Sequence, residues 1–123
     1  MKPVEAVERQ RLGAILVEDD RDLAEEETQI LLQVFPRVKV ASDAVEATGI
    51  IESETFGLAL VDLSLPSING RELCRQIKKA QSECVTVLLT NREDEDKSEG
   101  VDHIMLRPIS QEAVRNYITA KST

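Results

Sequence analysis

Five short apolar runs constrain what this chain can fold into more than any other feature. They are Ala14–Val17, Val38–Ala41, Leu58–Val61, Val85–Leu89 and His103–Leu106. Four of them end directly against Glu18, Asp62, Thr90 and Arg107. Runs that are apolar throughout, rather than alternating with polar residues, suit strands covered on both faces, as in a parallel sheet. The segments between them have helical periodicity. Leu23, Ile30, Leu31 and Val34 form one stripe behind Asp20, a suitable N-cap. Asp43-Ala44-Val45-Glu46 reads as a capping box with Asp in the Ser/Thr place, opening a helix to about Ser53. Gly70 precedes a third helix with Leu73, Cys74 and Ile77 on one face, and Ser110 caps a last one carrying Val114, Tyr117 and Ile118. This alternation predicts an α/β doubly wound sheet of five parallel strands.

One connection breaks the pattern. Residues 91–100, Asn-Arg-Glu-Asp-Glu-Asp-Lys-Ser-Glu-Gly, contain no apolar side chain. A helix there has nothing to bury, so a charged loop or single frayed turn is expected, and the fourth helix is short or missing. Residues 1–11 are polar and charged and read as an N-terminal arm ahead of one domain over 12–123.

Composition narrows the function classes. With 23 acidic against 15 basic side chains the net charge is −8, which opposes direct contact with nucleic acid. Phe35, Phe56 and Tyr117 are too few aromatics for a base-stacking platform. Cys74 and Cys84 form no CxxC pair or zinc pattern, and are expected to be reduced, packed thiols. The longest apolar stretch, Leu12 to Val17, has six residues, far short of a bilayer span. With no signal-peptide pattern at the start, a cytoplasmic protein without membrane insertion is expected.

In open α/β sheets, sites form beyond the carboxyl ends of the strands. Here those ends supply Glu18, Asp19 and Asp20 after the first strand, Asp62 after the third, Thr90 after the fourth, and Arg107-Pro108 after the fifth. Carboxylates converging on one rim resist joint ionisation unless a cation offsets them. Hard oxygen ligands suit Mg²⁺. The expected site is an acidic Mg²⁺ pocket with a hydroxyl and a guanidinium beside it.

These residues resemble the receiver domain of two-component response regulators over about residues 12 to 120. Ile15-Leu16-Val17-Glu18-Asp19-Asp20 is similar to that family's first strand and acidic pair. Asp62 to Gly70, with Pro66 at +4 and Gly70 at +8, resembles its phosphoacceptor loop. Val85–Thr90 looks like its fourth strand with a terminal switch hydroxyl, and Gly100–Pro108 like its last strand. The resemblance implies a flavodoxin-like sheet of order 2-1-3-4-5 and a phosphorelay function. Asp62 is then the phosphoacceptor, taking a phosphoryl group from a sensor histidine kinase or phosphotransfer protein. Glu18, Asp19, Asp62 and the backbone carbonyl of Ser64 hold Mg²⁺, Glu18 through water. Thr90 contacts the phosphoryl oxygen, and Gly70 permits a backbone conformation that a Cβ would penalise. A downstream effector protein, or an output domain fused outside this chain, receives the signal.

Three departures mark a divergent receiver. Arg107 stands where the family carries Lys, keeping the charge as a phosphate contact but with a planar fork in place of a point-like ammonium. Ile104 stands where the family has an aromatic switch residue, and the interval from Thr90 to Arg107 is shortened. Simpler readings stand beside these roles. Asp20 serves as an N-cap rather than a ligand, and the simpler reading of Arg107 is that it only neutralises the acidic rim. His103 is structural, and the Asp22–Glu27 cluster and Glu93–Glu99 run are solvated faces. The alternative function is a pseudo-receiver, a phosphorylation-independent interaction module. A haloacid-dehalogenase-type phosphohydrolase ranks lower, because Ser64 replaces its second acid. A nucleotide-binding module ranks lower still, because no glycine-rich phosphate loop is present. The chain is expected to act as an acceptor in signalling, not as a metabolic enzyme.

Overall fold

The computed structural model describes residues 5–93 and 95–119. The elements run α1(Ala6–Leu12), β1(Ala14–Val17), α2(Arg21–Leu31), β2(Val38–Ala41), α3(Ala44–Ser53), β3(Leu58–Asp62), α4(Gly70–Ala80), β4(Val85–Thr90), β5(His103–Leu106) and α5(Gln111–Thr119). The five strands form one parallel sheet of order β2-β1-β3-β4-β5, the doubly wound order that the sequence implied. Successive strand side chains face opposite sides. Leu16, Leu58, Leu60, Val87 and Leu89 therefore meet α2 and α5, while Ile15, Val17, Ala59, Val61 and Leu88 meet α3 and α4. The central strands β1, β3 and β4 are buried along their whole length, which is why their sequences do not alternate.

The helix starts follow the capping chemistry. Asp20 accepts from Leu23 N–H at 3.1 Å, Asp43 from Glu46 N–H at 2.8 Å, and Ser110 Oγ from Ala113 N–H at 3.2 Å. The β4–β5 connection contains no helix among the described residues, as its polar composition predicts. Polar side chains of α4 hold it instead. Arg71 Nη2 bonds Glu95 at 2.6 Å, Arg71 Nη1 bonds the Asp96 carbonyl and Ser98 Oγ, and Lys78 pairs with Asp102. Glu95 is therefore an ion-pair partner rather than part of a solvated run.

The reading of residues 1–11 as an arm needs correction where they are described. Ala6–Leu12 is a helix, and its anchors are polar, which is why the stretch carries no apolar signature. Buried Arg9 donates from Nη1 to the Ile118 carbonyl at 2.7 Å, and Gln10 Nε2 donates to the Val34 carbonyl at 2.6 Å. The Arg9 carbonyl lies so close to Gly57 that a Cβ there would sit 2.0 Å from it. Arg9→Ala is expected to cost about 1–3 kcal/mol in urea unfolding, because it leaves a buried carbonyl unpaired. A free arm would show no loss.

Candidate functional site

The site lies at the carboxyl edge of β1, β3, β4 and β5. Parallel pairing brings their ends together. Val17 is level with Val61, and Asp62 is level with Leu89, one residue before Thr90. Thr90 is level with Leu106, and the Arg107 N–H donates to the Thr90 carbonyl at 2.9 Å. Carboxylate oxygens of Glu18, Asp19 and Asp62 lie within 4.8 Å of one another, a donor set that can hold a metal ion. Glu18 and Asp62 are buried and Asp19 is exposed, so the cluster has a wet side and a dry side. Asp20 stays outside it as the α2 cap, as expected.

Asp62 is held by its own loop. Its Oδ1 accepts the Ser64 N–H at 2.8 Å, the Leu63 N–H bonds the Leu89 carbonyl, and the Gly70 N–H returns to the Leu63 carbonyl at 2.9 Å. Ser64 and Asn69 close the loop in an isolated antiparallel bridge. The reason for glycine at position 70 differs from the expectation. Gly70 has no positive φ; instead, an added Cβ would lie 2.1 Å from the Asp62 carbonyl oxygen. Close approach of α4 to the Asp62 carbonyl, not an unusual conformation, excludes a side chain. Thr90 is buried, and its Oγ1 accepts the Arg92 N–H at 3.0 Å. Among the described residues its hydroxyl makes no bond to the carboxylates.

Arg107 is the centre of the charge pattern. Its side chain is 8% exposed and reaches three acids. Nη2 bonds Glu18 Oε2 at 2.7 Å, Nε bonds Glu27 Oε2 at 2.9 Å, and Nη1 stands 3.6 Å from Asp62 Oδ1. Burial opposes its charge, but the hydrogen bond to Glu27 and the charges of Glu27, Asp62 and Glu18 outweigh it and raise its pKa. Glu27 was expected on a solvated face; it is buried, and the pairing with Arg107 is the reason it can be. The sequence held a signal for this. Glu27 falls between Leu23 and Leu31 on the apolar stripe of α2, where an acid demands a buried cation.

One guanidinium does not balance three buried carboxylates. Burial first, then the hydrogen bond and charge of Asp62, push the Glu18 carboxyl up to about 8, against the opposing pull of Arg107. Glu18, beside Asp62, therefore favours its protonated form more than an ordinary carboxyl does. His103 stacks on Tyr117 with ring centroids 4.4 Å apart, far from this chemistry, consistent with a structural role. Cys74 and Cys84 are free and buried, and burial raises both thiols to about 12. Among the described residues no helix is long and apolar enough to cross a membrane.

A doubly wound sheet with three acids and a cation at its carboxyl edge defines a class, a flavodoxin-like frame whose acidic cluster could hold a metal ion. Comparison with known proteins makes the class specific. Residues 14–119 match the response regulator receiver domain family. The response regulator ArlR of Staphylococcus saprophyticus is 33% identical over 89 residues, covering 72% of this chain and 40% of that protein. Among solved structures, a CheY-like receiver domain from Methanospirillum hungatei JF-1 superposes with a TM-score of 0.72 at 26% identity, covering 85% of this chain and 88% of that one. TrrA of Thermotoga maritima, in complex with Mg²⁺ and beryllofluoride, shares the fold with a TM-score of 0.72 at 21% identity, covering 85% and 96% of the two chains. The chain belongs to the response regulator receiver domain family. It spans less than half the length of the curated relatives it matches.

The raised carboxyl sets the sign of a pH effect. A folded-state pKa above the ordinary 4.5 means the folded chain keeps a proton that the unfolded chain loses. Stability of the metal-free protein should therefore fall as pH rises from about 4.5 to about 8. Glu18→Gln removes the facing charge and should raise unfolding stability at pH 8 in EDTA. A tenfold change in proton affinity corresponds to about 1.4 kcal/mol, so a gain above about 1 kcal/mol is expected in denaturant titrations. A loss of stability at that pH would contradict this charge assignment.

Proposed function

We propose that this chain is a phosphorelay receiver that accepts a phosphoryl group on Asp62 and so switches contact with a downstream partner. The observation that carries the reading is the placement of Asp62 between the acids of β1 and the Arg107 Nη1, 3.6 Å away. A carboxylate so placed can attack phosphorus while Arg107 offers positive charge on one side and a cation held by the acids would offer it on the other. In the transfer, an Asp62 oxygen forms the new P–O bond as the donor's P–N bond breaks. The electron pair leaves with the imidazole nitrogen of a phosphohistidine, and Asp62 becomes an acyl phosphate.

The donor set fits Mg²⁺. Its oxygens are hard, and three acids crowd one guanidinium, so that burial and Asp62 raise the Glu18 carboxyl against the pull of Arg107. Glu18, Asp19, Asp62 and the Ser64 carbonyl are the residues that would hold it. When bound, Mg²⁺ neutralises charge developing on the phosphoryl oxygens. Arg107 supplies a fixed positive edge to those oxygens, and Thr90 offers its hydroxyl from the neighbouring strand end. The partners on this reading are a sensor histidine kinase or phosphotransfer protein and a downstream effector or output domain. The setting is cytoplasmic, and the chain is an acceptor that assists its own phosphorylation rather than a metabolic enzyme.

Acetyl phosphate tests this without a kinase. Incubation with Mg²⁺ should add one phosphoryl group to wild type by intact mass, and none to Asp62→Asn or in EDTA. Absence of an adduct, together with no response to beryllofluoride, would contradict the reading and leave an interaction module that works without phosphorylation.

A further inference from the structure

The cation after β5 carries five N–H donors, and an unconstrained guanidinium tends to grip a carboxylate through two of them. Gripping Asp62 in that way would cover the oxygens that must attack phosphorus. The structure shows a different use of the fork. Nε and Nη2 both point to Glu27, at 2.9 Å from Oε2 and 3.3 Å from Oε1, and Nη2 also bonds Glu18 at 2.7 Å. One edge of the guanidinium is thereby spent on α2 and the end of β1. Only Nη1 is left toward Asp62, at 3.6 Å, beyond hydrogen-bonding distance.

Glu27 is 2% exposed, and its neighbours on the buried face of α2 are Ala24 and Leu31. A carboxylate at such a position is expensive unless paired, and an apolar side chain would serve packing at least as well. Arg107 is the partner that the structure provides.

Resting on Asp62 as the acceptor, we propose that Glu27 is a positioning residue that orients Arg107. It occupies the Nε/Nη2 edge of the guanidinium, keeps Asp62 from being clamped, and aims Nη1 at the place where the phosphoryl oxygens arrive. Glu27 gains and loses no bond in the transfer. The pair thus does with an arginine and a glutamate what a compact ammonium, which has no plane to orient, would do alone.

The test is the initial rate of phosphorylation by acetyl phosphate at saturating Mg²⁺, read by intact mass, with Mg²⁺ affinity measured alongside. Glu27→Gln should slow the rate on the order of 10- to 100-fold, the scale of a misplaced catalytic group, with Mg²⁺ affinity within about twofold of wild type. In an Arg107→Lys background, where no plane needs orienting, Glu27→Gln should change the rate by less than about threefold. A merely structural Glu27 would slow both backgrounds alike, and that result overturns the inference, as does a folded Glu27→Gln at the wild-type rate. If Glu27→Gln does not fold, Glu27→Asp decides: the charge stays but is withdrawn by one methylene, so slowing supports the inference and a wild-type rate overturns it. Wild type phosphorylated normally beside an unchanged Glu27→Gln rejects only the role of Glu27. Wild type that takes no phosphoryl group rejects the acceptor reading and this inference with it.

Discussion

A single buried guanidinium divided among three carboxylates governs the carboxyl edge of this protein. Arg107 ties the residue after β5 to the end of β1 through Glu18, to α2 through Glu27, and faces the end of β3 at Asp62. Elements from both ends of the chain, β1 and α2 on one side and β5 on the other, are thus joined at one point beside β3. Removing either side of such a buried pair leaves an uncompensated charge, a far larger penalty than the pair's net contribution. The shortfall matters as much as the attraction. One cation cannot neutralise three acids, and burial together with Asp62 accordingly raises the Glu18 carboxyl.

The rest of the fold presents that edge and holds it still. Strands covered on both faces leave no freedom for β1, β3 and β4 to slide, because a register change would move Asp62 relative to Thr90 and Glu18. The close approach of Gly70 to the Asp62 carbonyl locks α4 against the end of β3. From the next position along, Arg71 reaches the β4–β5 segment, so the Asp62 loop and the helix-free connection are linked through consecutive residues of α4.

Much of this was legible in the sequence because it depends on burial and capping. The five apolar runs mark the strands to within a residue of their observed ends, and in β1, β3 and β4 two-sided burial is the reason. Asp20, Asp43 and Ser110 cap where their side chains predicted, and the acids at the strand ends converge because parallel strands end on one side. What escaped notice was polar side chains doing the work of apolar ones. The α1 helix is anchored by Arg9 and Gln10, which on paper look like a solvated arm. Glu27 sits among acids and looks solvated, though its helical position on the Leu23–Leu31 stripe placed it inward. Gly70 was noticed for its flexibility, whereas its need is steric and is set by a carbonyl eight positions earlier.

Arg107 leaves the Glu18–Asp62 pair short of positive charge, and on the function proposed above a divalent cation makes up the difference. Calorimetric titration of the wild-type chain with Mg²⁺ near pH 7, repeated in buffers of different ionisation enthalpy, tests it most directly. Saturable binding with proton release is expected, because the metal favours the charged carboxylates that burial otherwise disfavours. Binding without proton release, or no binding at millimolar Mg²⁺, would contradict it.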